Sequence, residues 1–180
     1  MKIAIDIGHN LPCDGGAVGF LNENWCNTAV GMHLISMLEK SQVEVIKCKP
    51  GSADDLRDSL KRRVTTANTA KADYYISLHH NAGGGKGSEV FYFSNKGGAL
   101  ASAIVNELAL LGFENRGAKK STHYYVINWS EMPAIIVEAC FMDTKTDCEL
   151  WQRVGAKAVA EAIYKGLNQV LKFSSTPVSA

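Results

Sequence analysis

The sequence has few of the features that mark membrane, secreted or nucleic-acid-binding chains. Its 19 lysines and arginines nearly balance its 18 aspartates and glutamates, so it lacks the strongly basic surface that binds a phosphate backbone, and we expect no nucleic-acid partner. No run approaches the roughly 18 apolar residues of a membrane span, which predicts no membrane insertion. The opening segment "MKIAIDIGHN" has no secretory-signal pattern, so we expect synthesis in the cytoplasm without a signal peptide.

The cysteines are also informative by what they lack. They are odd in number and form no C-x-x-C pair, which indicates neither a disulfide framework nor a thiolate zinc site. Free cysteine is commonly a small buried hydrophobe, and we interpret all five in that way. Cys140 alone would share a face with a nearby glutamate, Glu138, if the strand there alternates regularly. No histidine stands near it in sequence to activate it as a nucleophile.

The apolar pattern predicts alternating strands and helices. At 180 residues and 46% hydrophobic, the sequence fits one domain with a sizeable core. Period-two or apolar runs predict strands at 2–7, 43–48, 73–79, 88–94, 124–128 and 134–141. Helical spacing predicts helices after Asn22, after a capping box at Ser52, over 97–112, and over 145–171 with a break near Gly155.

This order of elements predicts one α/β domain. It would be built on a mostly parallel, twisted sheet of about six strands with helices on both faces. We expect the domain to cover residues 1–172 and residues 173–180 to form a linker-like, disordered tail.

Three ionisable residues share one position relative to the strands. His9 follows "IAIDI", His79 follows "YYISL", and Glu138 lies near the end of "AIIVEACF". Sites in open α/β sheets gather outside the carboxyl ends of the strands, so we expect these side chains to meet. A glutamate in a buried strand requires a partner, and a structural ion pair is the alternative to a function for Glu138.

Glu23 is a fourth candidate. Acidic residues are common in the first turn of a helix because of the helix dipole, which is its plain structural explanation. However, its helix follows directly from the His9 loop, so the side chain could return to the same edge. Two imidazoles and one carboxylate would form a catalytic zinc site with one open position, and a further carboxylate could move the proton of bound water. The spacing alone is not specific, because no H-E-x-x-H motif is present.

The sequence resembles the zinc-dependent N-acetylmuramoyl-L-alanine amidases over about residues 2 to 170. The pieces that carry the resemblance occur in family order: "IDIGHN", "NEN", "RVTTANTAKADYYISLHHNA", "GSEVFYFSN", "NRGAK" and "PAIIVEACFMD". The resemblance implies His9, Glu23 and His79 as ligands of one Zn²⁺ and Glu138 as the catalytic residue. It implies cleavage of the amide between the lactyl group of N-acetylmuramic acid and L-alanine in bacterial peptidoglycan.

The family pattern S-x-H-x-N fits residues 77–81, which implies that the first of two adjacent histidines is the ligand. Neighbouring residues of a strand point to opposite faces, so both cannot reach one ion. The reverse assignment, with His80 as ligand in place of His79, stays open. Asn10 departs from the family, many members of which have glycine there.

The residues of the motifs "NRGAK" and "GSEV" are most similar to those of the catalytic domains of phage or prophage endolysins. That resemblance implies a protein that acts on the cell wall after the membrane is breached. It also implies, as a partner, a wall-binding domain that we do not find in this sequence. Two alternatives stay open, a zinc peptidase that cuts within the stem peptide and a non-catalytic wall-binding module. The glycine-rich "GGGKGS" lacks the Ser or Thr after lysine of a phosphate loop and precedes a strand, which argues against nucleotide binding.

Overall fold

A computed structural model describes residues 1–173 and shows one α/β domain. Six strands form a single sheet in the order β2-β1-β3-β6-β4-β5. The strands are β1 (Lys2–Ile7), β2 (Glu44–Lys47), β3 (Tyr74–Asn81), β4 (Ser88–Tyr92), β5 (Asn115–Lys120) and β6 (Ala134–Phe141). The helices are α1 (Glu23–Lys40), α2 (Leu56–Thr69), α3 (Asn95–Leu110), α4 (Tyr125–Asn128) and α5 (Lys145–Leu171).

The sheet is mostly parallel, as predicted. Strands β2, β1, β3 and β6 run in one direction, while β4 pairs antiparallel with β6 and parallel with β5. Phe173 still packs on the ring of Tyr164, and residues 174–180 of the predicted tail lie outside the described residues. Within residues 1–173, no helix is both long enough and apolar enough to span a membrane.

The helix caps follow the sequence with one correction. Asn22 caps α1, because its side chain accepts a hydrogen bond from the Trp25 backbone N–H at 3.2 Å. The capping box predicted at Ser52 is wrong, since α2 begins at Leu56 and its cap is Asp55. The Asp55 carboxylate accepts from the backbone N–H three residues later at 2.7 Å, which is the same chemistry shifted along the chain.

One of the six strands, β5, comes from a different segment than predicted. The apolar run at 124–128 forms the short helix α4, which buries Val126 and Ile127, whereas the polar segment Asn115–Lys120 forms β5. A short apolar run does not distinguish a strand from a buried helical turn. Strand β5 lies at the sheet edge, where charged residues are normal because they discourage pairing with other chains.

Two layers of unequal thickness cover the sheet. Helices α1, α3 and α5 pack together over one face and enclose the larger core, which includes Leu34, Ile104 and Ile163. Helices α2 and α4 cover the other face with a smaller core around Tyr75 and Ile136. Helix α5 breaks at Gly155, whose φ of 79° and ψ of 160° are not helical, as the sequence predicted.

Candidate metal centre and active site

The loop after β1 turns His9 back over the ends of the strands. His9 and Asn10 have φ angles of 57° and 66°, the left-handed region that residues other than glycine seldom adopt. Such positions cost about 1–3 kcal/mol and persist where the surroundings enforce them. Asn10 contributes by donating its side-chain N–H to the Gly8 carbonyl at 3.0 Å and the Asn24 carbonyl at 3.2 Å. Many family members have glycine at the position of Asn10. Asparagine can replace it because asparagine tolerates the left-handed backbone region better than most other residues.

Buried Arg63 holds the same loop from beneath. Its guanidinium donates to the Asp6 carboxylate at 2.6 Å, to the Ile7 carbonyl at 2.7 Å and to the His9 carbonyl at 2.6 Å. The sequence did not single out Arg63. Its neighbour Arg62 is half-exposed, and nothing local in the sequence separates the two arginines.

Three of the four predicted site residues form one cluster. Glu23 Oε1 lies 3.3 Å from His9 Nε2 and 3.1 Å from His79 Nδ1. One ligand atom from each of the three residues lies within 4.8 Å of the others. The His79 ring rests on Gly8, where an added Cβ would come within 2.3 Å of the imidazole, so this close approach requires glycine.

Glu23 is held as a carboxylate by several donors. Its Oε2 accepts the Ala17 backbone N–H at 2.7 Å, and its Oε1 accepts the His80 backbone N–H at 3.1 Å. Burial acts to raise the pKa of Glu23, but hydrogen bonds from His79 and His9 outweigh it, and the net pKa is well below its usual range. Glu23 is therefore ionised.

Asp14 is a residue of the site that the sequence analysis missed. Its Oδ1 lies 2.5 Å from His9 Nδ1, and its Oδ2 accepts the Ser59 hydroxyl at 3.1 Å. Burial acts to lower the pKa of His9, yet the hydrogen bonds with Asp14 and Glu23 raise it to about 10. A carboxylate on the outer nitrogen is a common partner of a metal-binding histidine, but an aspartate in a turn-rich loop gives no sequence signal of that role.

His80 lies on the opposite face from His79 and outside the cluster. It is buried, its Nδ1 lies 2.7 Å from Asn27 Oδ1, and its Nε2 accepts the Trp151 indole N–H at 3.1 Å. Burial lowers the pKa of His80 to about 4, so the ring is neutral. Strand alternation thus separates the two histidines as expected.

Glu138 is paired in the sheet with His79 of β3 on one side and with Glu89 of β4 on the other. Its Oε2 is buried and has no hydrogen-bond partner within the described residues, and burial raises the pKa of Glu138 to about 7. Burial also acts to raise the pKa of Glu89, but hydrogen bonds from Lys119 and Arg116 outweigh it and lower that pKa. The environment therefore separates two adjacent carboxylates into one that stays ionised and one that can carry a proton near pH 7.

Cys140 does not share the face of Glu138, contrary to the regular alternation assumed from the sequence. The β3–β6 register pairs His79 with Glu138 and then Asn81 with Phe141, so β6 contains one extra residue. This irregularity leaves Cys140 buried in the core under α1, α3 and α5, where burial raises the pKa of its thiol. It is a structural thiol.

Two cavities meet at the cluster. One, of about 380 Å³, lies between α2 and α4 and has an apolar wall that includes Leu56, Leu60 and Val126. The other, of about 450 Å³, is more open and passes Gly16 and Ala82. Both are lined by the same central residues, His9, Asp14, His79 and Glu138.

Comparison with known proteins identifies the family. Residues 3–169 match the family model Amidase_3, described as N-acetylmuramoyl-L-alanine amidase. The chain is 31% identical over 172 residues to the N-acetylmuramoyl-L-alanine amidase CwlM of Bacillus licheniformis, covering 92% of this chain and 65% of that protein. It is 28% identical over 178 residues to the endolysin of Bacillus phage SPP1, covering 93% of this chain and 65% of that one.

Comparison with solved structures points to the same family. The catalytic domain of the CD27L endolysin, described as targeting Clostridia difficile, superposes with a TM-score of 0.85 at 32% identity over 98% of this chain and 99% of that chain. The catalytic domain of CwlV from Bacillus (Paenibacillus) polymyxa superposes with a TM-score of 0.83 at 27% identity, covering 96% of this chain and 99% of that one. The chain spans about half the length of a 38.4 kDa Clostridium perfringens relative, at 33% identity over 93% of this chain. The fold, the ordered motifs and the family match together show that this chain belongs to the Amidase_3 family of N-acetylmuramoyl-L-alanine amidases.

Proposed function

We propose that this chain hydrolyses the amide bond between the lactyl group of N-acetylmuramic acid and the L-alanine of the peptidoglycan stem peptide. The observation that carries the proposal is the position of Glu138, which has an unpartnered buried carboxyl oxygen, beside the cluster of two histidines and a glutamate. The similarity to amidases and to endolysin domains supports this choice of substrate.

The cluster fits a zinc ion by its chemistry. Two imidazole nitrogens and one carboxylate oxygen are a common donor set of catalytic zinc sites, and Asp14 and the Ala17 N–H hold the outer atoms of two of these groups. His9, Glu23 and His79 would hold one Zn²⁺ per chain. When bound, the ion would lower the pKa of its water and stabilise negative charge on the carbonyl oxygen.

Glu138 would move the proton. Because burial raises the pKa of Glu138 to about 7, both its charged and its protonated forms are accessible near neutral pH. Its carboxylate accepts a proton from the attacking water and then donates it to the L-alanine nitrogen as the C–N bond breaks. The products are a carboxylate on the lactyl group and a free amino group on the stem peptide.

The two cavities suit a substrate that leaves the scissile bond in two directions. A glycan strand and a stem peptide diverge at this amide, and the apolar pocket and the open groove diverge at Glu138. Substrate seated in both would cover the cluster and displace water from around Glu138.

The setting we propose is that of an endolysin. The protein would be made in the cytoplasm and would reach bacterial peptidoglycan when the membrane is breached. The similarity to the phage endolysin supports this setting. Fractionation of producing cells tests it, since we expect the protein in the cytosol until the membrane is permeabilised, and secretion by intact cells would contradict it.

Mass spectrometry of digested peptidoglycan tests the reaction. Purified sacculi are incubated with the protein, with and without a metal chelator, and with Glu138→Gln as the inactive control. We expect stem peptides with a free L-alanine amino group only from the metal-containing wild type. Cleavage elsewhere in the stem would identify a peptidase, and intact muropeptides with retained binding to sacculi would identify a wall-binding module.

A further inference from the structure

His80 lies in the core, yet its backbone N–H and its imidazole ring are both connected to Glu23 by hydrogen bonds. Its backbone N–H donates directly to Glu23 Oε1 at 3.1 Å. Its ring reaches the same oxygen through Asn27, whose Nδ2 lies 3.3 Å from Glu23 Oε1 and whose Oδ1 lies 2.7 Å from His80 Nδ1. Asn27, His80 and Trp151 are each 3% exposed or less, so water does not compete for these bonds.

The indole of Trp151 fixes the direction of this buried network. An indole N–H can only donate, so His80 Nε2 must accept and the imidazole proton must be on Nδ1. That proton donates to Asn27 Oδ1. The Asn27 amide is thereby oriented with its NH₂ toward the Glu23 carboxylate.

The orientation of Asn27 matters because its side chain has two nearly isosteric ends. With its NH₂ toward Glu23 it offers the carboxylate a donor, whereas a flipped amide would place a carbonyl oxygen against that carboxylate. The Asn27 NH₂ also lies 3.5 Å from the Gly8 carbonyl oxygen, so the His80 N–H adds to an orientation that two acceptors already favour. Without that N–H, Asn27 Oδ1 would be buried without a donor, and the amide would be held less firmly against the Glu23 carboxylate.

We infer that Trp151, His80 and Asn27 are positioning residues that orient the Glu23 carboxylate for metal binding through this one-directional hydrogen-bond network. The inference rests on the proposed function, in which Glu23 binds the metal. In this account His80, the second histidine of "HHN", supports a metal ligand without binding the metal itself.

The first test is zinc affinity, measured by competition with a chromophoric chelator. We expect His80→Ala to weaken zinc binding about tenfold. Trp151→Phe, which removes the indole N–H and keeps an aromatic ring, should weaken it about fivefold. The double variant should match His80→Ala alone, because both changes act through the same network. Trp25→Phe is the matched control, since Trp25 packs on Trp151 at 5.5 Å but is exposed.

The second test determines the tautomer of His80 in the metal-free protein. Nitrogen-15 NMR of the metal-free protein should show His80 as the Nδ1–H tautomer in the wild type and a mixed population in Trp151→Phe. A wild-type Nε2–H tautomer would overturn the inference. So would unchanged zinc affinity in variants that only melt at lower temperature. A wild type that binds no zinc at all would instead overturn the proposed function, so the two failures are distinguishable.

Discussion

The two histidines at the end of β3 lie on opposite faces of the sheet and have opposite surroundings. His79 is partly exposed beside Glu23 and the cleft, under the thinner layer of α2 and α4. His80 is buried under α1 and α5 with both ring nitrogens hydrogen-bonded. The same side chain is therefore open to a ligand on the thinly covered face and fixed as a polar part of the core on the other.

The difference in cover also explains where the cavity lies. Three long helices fill one face, whereas α2 and the four-residue α4 leave about 380 Å³ open beside Glu138. The carboxyl ends of β1, β3 and β6 project polar groups into that gap.

The largest effect should come from Glu138, the central group of the thin face. We expect Glu138→Gln to lower turnover about 10²- to 10⁴-fold, because the amide can neither take nor give the proton, while zinc content is unchanged. Release of stem peptides by mass spectrometry and zinc content by atomic absorption check this. The exposed Glu131→Gln is the control and should leave turnover as it is. Full activity in Glu138→Gln would remove it from the mechanism.

Arg63 and Arg62 compare buried and exposed charge on one helix. Arg63→Met should destabilise the metal-free protein by about 3–5 kcal/mol, because it removes the positive charge paired with the buried Asp6 carboxylate. Arg62→Met loses only an ion pair with Asp58 at the surface and should leave the free energy of unfolding nearly unchanged. Urea unfolding monitored by circular dichroism measures both, and equal losses would contradict this account of the His9 loop.

Glu138 should also reduce stability when ionised. Because its folded pKa of about 7 exceeds that of the unfolded chain, the folded state holds an extra proton between about pH 4.5 and 7. Stability from this group is therefore lost as pH rises through that window. In the metal-free protein, Glu138→Gln should be more stable than wild type by about 1–3 kcal/mol at pH 7.5, with little difference at pH 4. A constant difference across this pH range in urea unfolding would be the contrary result.

Zinc binding should tighten as pH rises. The pKa of His9 in the metal-free chain is about 10, so the metal must displace a proton at neutral pH, and affinity should rise up to about tenfold per pH unit from 7 to 9. His80, whose pKa is about 4, is already neutral at pH 7 and should release no proton when the metal binds. Calorimetry in buffers of different ionisation enthalpy should detect about one proton released at pH 7.5. Asp14→Asn should shrink that release, and an unchanged value would show that Asp14 does not hold the His9 proton.

Much of the fold could be predicted because its signals are local. The caps at Asn22 and the break at Gly155 follow from single residues whose chemistry suits those positions. The exchange between β5 and α4 could not be predicted, since Asn115–Lys120 becomes a strand only by pairing with β4. Its charged residues show no alternation that would indicate a strand.

The residues of the candidate site also fall into those that could be predicted from the sequence and those that could not. His9, His79 and Glu138 could be found because each follows or ends a strand, and parallel strands end at one edge. Asp14 and Arg63 could not, because their importance lies in contacts with the His9 loop that chain spacing does not encode. Cys140 was placed on the wrong face because one extra residue in β6 reverses the alternation.

By itself the sequence determined the α/β class, the family and the four polar residues at the sheet edge, because hydrophobic periodicity and residue chemistry are properties of the chain alone. Only the tertiary structure decided which histidine joins Glu23 and which enters the core. That choice depends on the helices that cover each face of β3 and on the hydrogen-bond partners, Asn27 and Trp151, that they bring from distant positions in the chain.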